Sequence, residues 1–590
     1  ERDTGYAAAS SLAGNRLNTN LKDVGSAISV ITEQFLRDTG AVNNESLLQY
    51  VTNTEVGGIF GSMANVGAST QLNESFLNPN GNTRVRGLTS ADSTRDYFLS
   101  DMPWDAYNTD RVEFQRGPNA ILFGLGSPAG IINNSTRTAG FKNRGEVAFR
   151  YGQYGSNRAS LDLNYVLIPK ELAFRFDAVR DDSKFEQKPA YQLDRRIFGT
   201  ARWEPALVNR GSAHTIFKAS YENGKITSNR PRTLTPGDTI TPWFLTGKVT
   251  GYDPVSGAPI AYNTLSKIGL DARGLMDQNI ASTGVSDKGQ FVKTYANGTL
   301  NPYWQPNLGG QFAGGYFGNP MAISDSGGSS AVRLFSQQPF TSRGLGASGA
   351  IDGSISGIPD SRMSSITIYR DFSKKINLPG AKFGITKNQQ LSDPSIFNFY
   401  ENLIDGPNKS EWANFHNFTL SWSQTFLNGD AGFEVVHDRQ HFDNGQLTFM
   451  GDKNQTIYVD VIQTLADGTT NPNFGRPFIA DSGSGGTNSI DRHSSRLTAF
   501  LKHDFDQGQN HTILTRLLGR QTLTGLWNND YRKSDSRSFV RYTTDLAYKD
   551  FATAPATNVG IDSSTRRIYS TIYLGPSLAG ASSAVGANMP

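Results

Sequence analysis

The feature that most constrains this chain is a two-residue rhythm of apolar and polar side chains that sets in near Gly145 and returns many times afterward. In Arg158–Leu167, Ala159, Leu161, Leu163, Tyr165 and Leu167 share one face, and Arg158, Ser160, Asp162 and Asn164 share the other. In the next run Leu172, Phe174, Phe176 and Ala178 oppose Arg175 and Asp177. Side chains alternate between the faces of a strand, so these runs read as strands with one apolar side. The pattern recurs in His214–Glu222, Phe418–Leu427, Gly432–Arg439, Leu497–Phe505 and Thr512–Thr522, and more weakly in Arg567–Leu574. Each run is roughly 8–12 residues long, which suits a strand crossing a bilayer.

A soluble β-sandwich or β-helix also alternates, so the connections decide between the readings. Ile168-Pro169-Lys170 and Leu427-Asn428-Gly429-Asp430 are tight turns, the second with an Asn-Gly hairpin signal. Thr227–Arg362 and Asp443–Arg492 are long and polar. Short turns at one end and long loops at the other are the asymmetry of an outer-membrane barrel, and loops of such length are uncommon unless functional. Tyr151, Tyr154, Tyr165, Trp203, Tyr221 and Trp422 near strand ends fit the aromatic girdles of such a barrel. No stretch reaches the ~18 apolar residues of a spanning helix, so a membrane crossing here requires a closed barrel, which satisfies every backbone group in lipid.

Composition narrows the functional classes. Only 37% of residues are hydrophobic and 18% charged, with 61 glycines, a mixture that suits short strands and polar loops better than a helical core. The formal charge of +3, without a basic run, argues against nucleic acid as a partner. The absence of cysteine excludes disulfides, thiolate metal sites and thiol catalysis. Gly124-x-Gly126-x-x-x-Gly130 has the wrong spacing for a dinucleotide fingerprint, and His437-x-x-x-His441 lacks the glutamate of a zinc protease. No nucleophile elbow, phosphate loop or calcium loop is present. We therefore expect no catalytic residue, no cofactor and no metal ligand.

The N-terminal part reads differently. Residues 1–20 are small and polar, a flexible lead-in. Ala27–Ile31 reads as a strand, Thr32 as the N-cap of a helix through Leu36 with Gly40 beyond its end, and Glu45–Val51 as a second short helix. This part closes on Asp110–Arg137, DRVEFQRGPNAILFGLGSPAGIINNSTR. Val112, Phe114, Ile121 and Leu122 would pack a small core, and Gly117-Pro118 imposes a tight turn. Gly124, Gly126 and Gly130 permit positive φ or close backbone approach.

The motif resembles the end of the plug in TonB-dependent outer-membrane receptors. Arg111-Val112-Glu113-Phe114-Gln115-Arg116-Gly117-Pro118 fits the family's Arg-Gly-Pro element, Leu122-Phe123-Gly124 its second element, and Ala129-Gly130-Ile131-Ile132-Asn133 its third. Thr83-Arg84-Val85-Arg86-Gly87-Leu88 matches the upstream Arg-Gly element, and Leu21–Ile31 the opening strand, so the likeness runs over about residues 21–139. Ser100-Asp101-Met102-Pro103 and Ala129-Gly130 depart from the usual Asp-Gly and Gly-Gly.

The resemblance implies a mainly β protein: an α+β plug (21–140) inside an antiparallel transmembrane β-barrel (141–590). It implies Arg86 and Arg116 paired with carboxylates on the barrel wall, where ordinary surface ion pairs would be the plain alternative. It also implies a location in the outer membrane of a Gram-negative bacterium, in contact with outer-membrane lipid, and TonB as the partner that delivers energy. The cargo would be a small-molecule metal chelate, first a ferric siderophore, with glycan, haem or vitamin B12 as alternatives. A passive porin or a surface adhesin is the reading from another class, and the plug disfavours the porin. Trp243, Tyr303, Trp304, Phe312 and Tyr316, in the long loops, are candidate ligand-stacking residues. Roughly ten to twelve strands can be read against about 22 in plugged transporters, so we expect a chain that stops mid-barrel. We expect the TonB box upstream of Glu1.

Overall fold

The computed structural model describes residues 3–11, 19–25, 27–57, 83–117, 127–238, 240, 244, 390–450, 455–459, 472–505, 513–542 and 569–590, with the backbone of short strands at 249–252, 259–261, 311–312, 320–325, 333–336 and 365–366. The N-terminal body is a five-stranded sheet of β1 (Ile28–Thr32), β2 (Asp92–Arg95), β3 (Phe98–Leu99), β4 (Thr109–Arg116) and β5 (Gly130–Thr136), in the order β1-β4-β5-β2-β3. All pairs are antiparallel except β2 with β5.

Thr32 ends β1 and starts helix α1 (Glu33–Thr39), its hydroxyl accepting from the Phe35 amide, and Gly40 closes the helix at φ +70°. The second helix is shorter than the sequence suggests. It covers only Asn44–Leu47, held by a capping box between Asn43 and Ser46. Leu36, Leu47, Leu48, Trp104, Val112, Phe114 and Ile132 pack between sheet and helices as the core of this body. The N-terminal lead-in, expected to be flexible, lies against it: the Tyr6 hydroxyl donates to Asp38 at 2.7 Å, and the Thr32 hydroxyl to the Gly5 carbonyl at 2.7 Å.

The second body is one antiparallel sheet of nine strands, each beside its neighbour in sequence: β6 (Arg144–Tyr151), β7 (Asn157–Ile168), β8 (Leu172–Lys184), β9 (Tyr191–Trp203), β10 (His214–Asn229), β11 (Ser410–Phe426), β12 (Ala431–Thr448), β13 (Ser484–Asp504) and β14 (Arg520–Phe539). Its burial is inverted relative to a soluble sheet. Val147, Phe149, Leu163, Tyr165, Phe174, Phe176, Leu420 and Trp422 are exposed, while Asp162, Asp177, Asp194, Arg196, Glu222, Asn417 and Asp438 are buried. An apolar outside and a polar inside suit a barrel wall between lipid and a filled lumen.

Several strands are longer than the alternation indicated, up to the 21 residues of β13. Beyond the apolar band both faces are polar, and the rhythm that marks a strand in the sequence fades. The run at Thr512–Thr522 is corrected as well: Ile513–Leu518 is helical and β14 begins only at Arg520. Tyr569–Tyr573 is a strand, but it belongs to a separate six-stranded sheet built from the long connections. That sheet packs over a second apolar core that includes Ile240, Phe397, Ile457, Ile479, Leu578 and Met589. The predicted hairpin turn holds: Asn428 and Gly429 take φ +56° and +97°.

Candidate functional site

The site lies where the N-terminal body meets the polar face of the wall. Among the described residues, motif residues Glu113 on β4 and Asn133 on β5 bond only within the N-terminal body. They hold the β2–β3 hairpin, a short tongue that reaches the wall. The tongue's turn places Asp96 and Tyr97 at φ +49° and +62°, a conformation costly for a bulky aromatic residue. Asn133 Oδ1 accepts from the Tyr97 amide at 2.8 Å and from the Thr94 hydroxyl at 2.9 Å. The Tyr97 hydroxyl donates to Glu113, and the Asp96 carboxylate accepts from Thr136 through its amide (2.9 Å) and its hydroxyl (2.7 Å). Burial, then the Glu113 carboxylate, pushes the Tyr97 phenol up, so it remains a protonated donor.

From this frame the tongue delivers Arg95 to Glu222 on β10, both side chains almost wholly buried. Glu222 also accepts from the Tyr107 hydroxyl at 2.8 Å. On the tongue's other side the Arg496 guanidinium stacks 4.2 Å over the Phe98 ring, and Arg492 pairs with Asp101 at 2.5 Å. Farther along, Arg158 grips Asp105 (3.0 Å for Nη1 to Oδ2), Arg196 donates to the Pro103 carbonyl at 2.6 Å, and Arg230 pairs with Glu45 at 3.3 Å. Charges removed from water are tolerated only when paired, so this interface is specific and sensitive to loss of one partner.

Asp105 shows the balance. Burial opposes its charge, yet the Arg158 guanidinium holds its carboxyl below the usual carboxylate range. A carboxylate depressed in the folded state stabilises above its unfolded value of about 3.9, and that contribution is lost as pH falls through the folded value. The docking of the N-terminal body should therefore weaken as pH falls below about 4. Proteolysis of that body across an acid titration should show the onset, and Asp105→Asn should flatten it. An onset that the substitution leaves untouched would assign it to other groups.

The expected pairing of Arg86 and Arg116 with wall carboxylates is not seen among the described residues. Arg86 sits at φ +59°, its amide donating to the Asn53 carbonyl. It lines a cleft of about 600 Å³ with Gly87, Glu55 and Arg116. Arg116 donates to the Ser29 hydroxyl at 2.8 Å and the Thr52 carbonyl at 3.3 Å, and Glu55 is taken by Arg84 at 2.7 Å. Among the described residues neither Arg86 nor Arg116 meets a wall carboxylate; Arg95 does so instead, along with the wall arginines on Glu45, Asp101 and Asp105. Gly117 and Gly130 take φ +98° and +110° as turn residues should. Pro118, Phe123, Gly124, Trp243, Tyr303, Trp304 and Tyr316 lie outside the described residues, and Phe312 is described only as backbone of the strand Gln311–Phe312.

Sequence reasoning missed Arg95, Asp101, Asp105 and Glu222. Glu222 was identifiable as an inward polar position, but its partner depends on where the tongue is aimed. A cavity of about 850 Å³ opens beside the interface, toward the long connections, lined by Glu45, Trp104, Tyr154, Arg196, Arg230 and Tyr400 among others. Among the described residues there is no cluster of three or more His, Cys, Asp or Glu suited to a metal ion.

A small α+β body held by buried ion pairs against the polar face of an outward-apolar β-wall defines a plugged barrel. Residues 20–131 match the family model "TonB-dependent Receptor Plug Domain", so this part of the chain is similar to the plug of TonB-dependent receptors. The metal-pseudopaline receptor CntO of Pseudomonas aeruginosa (strain UCBPP-PA14) is 29% identical over 181 residues, which are 30% of this chain and 24% of that protein. The ferrichrome outer membrane transporter/phage receptor of Escherichia coli K12 is 23% identical over 225 residues, 37% of this chain and 29% of that protein. The matched segments thus span less than a third of these relatives. Among solved structures, the pyoverdine outer membrane receptor FpvA of Pseudomonas aeruginosa PAO1 aligns over 92% of this chain and 51% of its own, with 11% identity and a TM-score of 0.47.

Proposed function

We propose that this protein is an outer-membrane receptor of a Gram-negative bacterium that imports a scarce, bulky metal chelate, first a ferric siderophore, with energy delivered through TonB. The observation that carries the reading is the plug–wall interface itself. A passive pore has no use for a folded body pinned in its lumen by Arg95–Glu222, Arg158–Asp105 and Arg230–Glu45. Such polar contacts suit a closure that opens, because each partner can exchange its bond for water once the body moves. The names of the relatives, receptors for metal-pseudopaline, ferrichrome and ferrioxamine B, support a metal chelate over haem, glycan or vitamin B12 as cargo.

The cavity beside Trp104 and Tyr154 is the proposed entrance to the ligand's path. Cargo seated there should quench Trp104 fluorescence. Titration of the full-length receptor with ferric hydroxamate, ferric catecholate and metal–opine chelates, each beside its metal-free form, should give saturable quenching by one metal-loaded member. Quenching by haem, cobalamin or an oligosaccharide alone would reject the chelate reading.

A further inference from the structure

The apolar outside of the wall does not stop where the strands do. Near the short-connection end an aromatic ladder crosses four strands. The ring of Trp203 on β9 is centred 5.5 Å from that of Phe217 on β10, Phe217 stacks at 6.1 Å on Trp422 of β11, and Trp422 meets Phe433 of β12 edge-on at 4.9 Å. Such a girdle marks the level where hydrocarbon gives way to headgroups. Beyond it the chain turns back, and turns that face water are ordinarily built from Gly, Pro, Asn, Asp and Ser. These carry large aliphatic residues instead. Leu207 is 75% exposed in the β9–β10 connection and Leu427 is 60% exposed in the β11–β12 turn. Ile513 and Leu517 are 89% and 81% exposed in the helix Ile513–Leu518 between β13 and β14.

The backbone displays these side chains deliberately. The Val208 and Asn209 amides both donate to the Pro205 carbonyl at 3.2 Å, and the Asn209 side chain donates to the Thr215 carbonyl at 3.1 Å, so Leu207 stands on a fixed turn. Leu427 takes φ +51°, a left-handed conformation that is costly for a branched aliphatic residue and natural to Asn or Gly. Phe426, beside it, lies 6.2 Å from Phe433 and joins the turn to the ladder. Ile513 and Leu517 stand one helical turn apart and share a face. In three connections an exposed cation lies within three residues of the exposed aliphatics: Lys170 after Ile168, Arg210 after Leu207 and Arg516 beside Leu517.

We propose that these connections are a membrane anchor: their aliphatic side chains enter the adjoining leaflet, and Lys170, Arg210 and Arg516 sit at the phosphates of anionic phospholipid. The occupant follows from continuity, because the turns extend the same outward face that the ladder closes, and from charge, because cations on short apolar turns reach back to phosphate. Short turns of an outer-membrane barrel face the periplasm, so the leaflet is the inner one. A plug worked on from that side needs a barrel that does not follow it, and turns seated in lipid supply the purchase. This use rests on the import reading, whereas the anchoring rests only on the membrane-barrel reading.

The chain has no cysteine, so a single introduced thiol reports one position. The full-length receptor is placed in phosphatidylethanolamine–phosphatidylglycerol vesicles with the fluorophore NBD attached through Leu207→Cys, Leu427→Cys or Ile513→Cys. Each should show the blue-shifted emission of an apolar site and lose about half its intensity to nitroxide carried on the acyl chains. Phe174→Cys, on the exposed apolar face of β8, sets the membrane reference, and Glu401→Cys, exposed in the long β10–β11 connection, sets the water reference. Water-like emission at the three turn positions beside a normal Phe174→Cys response overturns the proposal. Blue-shifted emission that the nitroxide lipid leaves unquenched also overturns it, since protein would then cover the turns. Water-like emission from Phe174→Cys as well would reject the membrane-barrel reading itself. The measurement needs neither cargo nor an inner-membrane partner, so it stands apart from any uptake result.

Discussion

Replacing Glu222 with alanine should loosen the plug from the wall by about 3–5 kcal/mol, the usual cost of removing one member of a buried ion pair. The loss is large because two partners are stranded. Arg95 and Tyr107 both spend their polar ends on this carboxylate, and both are buried. Burial followed by Glu222 also pushes the Tyr107 phenol up, so it cannot compensate by ionising. Glu222→Gln keeps an acceptor for the Tyr107 hydroxyl and for Arg95, and should cost clearly less. Replacing Arg95 and Glu222 together with methionine should cost less than Glu222→Ala alone, since no buried charge is then left unpaired. Susceptibility of the plug to limited proteolysis in the folded barrel reads the order. Equal susceptibility of all three variants would show that the pair does not anchor the plug.

Gly130→Ala should be still more damaging to the plug. Gly130 opens β5 at φ +110°, and a Cβ built there falls 2.0 Å from the Gln115 carbonyl oxygen. The obstacle is backbone in the paired strand, so relief requires opening the β4–β5 ladder at Arg116–Gly130. A cost beyond about 4 kcal/mol follows, enough to unfold a small domain. Gly87 is the contrast. It also has a positive φ, +69°, but a Cβ there meets nothing within 4 Å among the described residues. Gly87→Ala should cost only the left-handed backbone penalty, about 1–2 kcal/mol. Thermal unfolding of the two variants side by side checks the difference, and similar midpoints would contradict it.

The same two glycines show what is legible in the sequence alone. That Gly130 is a backbone requirement follows from its place in the motif, whereas the atom that enforces it lies fifteen residues earlier in sequence, beyond any local pattern. The wall strands were visible where an apolar face alternates with a polar one, as in Arg158–Leu167. They disappeared from the sequence where both faces are polar, as at the far end of β13. The Thr32–Gly40 helix was readable from its caps, which are local chemistry. The charged interface was not. Arg86 and Arg116 stand beside glycine turns and invite the role of wall contacts; among the described residues it is Arg95 that pairs with the wall, because Tyr97, Asn133 and Glu113 aim the tongue. Such aim is a product of tertiary hydrogen bonds among residues 16 to 36 positions apart, and alternation or capping carries no trace of it.

The proposal of energised import is tested most directly by uptake of a radiolabelled metal chelate into cells that express the full-length receptor, with and without a protonophore. Accumulation should depend on the receptor and stop when the proton-motive force collapses, while binding at the cell surface persists. Accumulation that continues under the protonophore would contradict a closed, energy-coupled plug and point to passive passage.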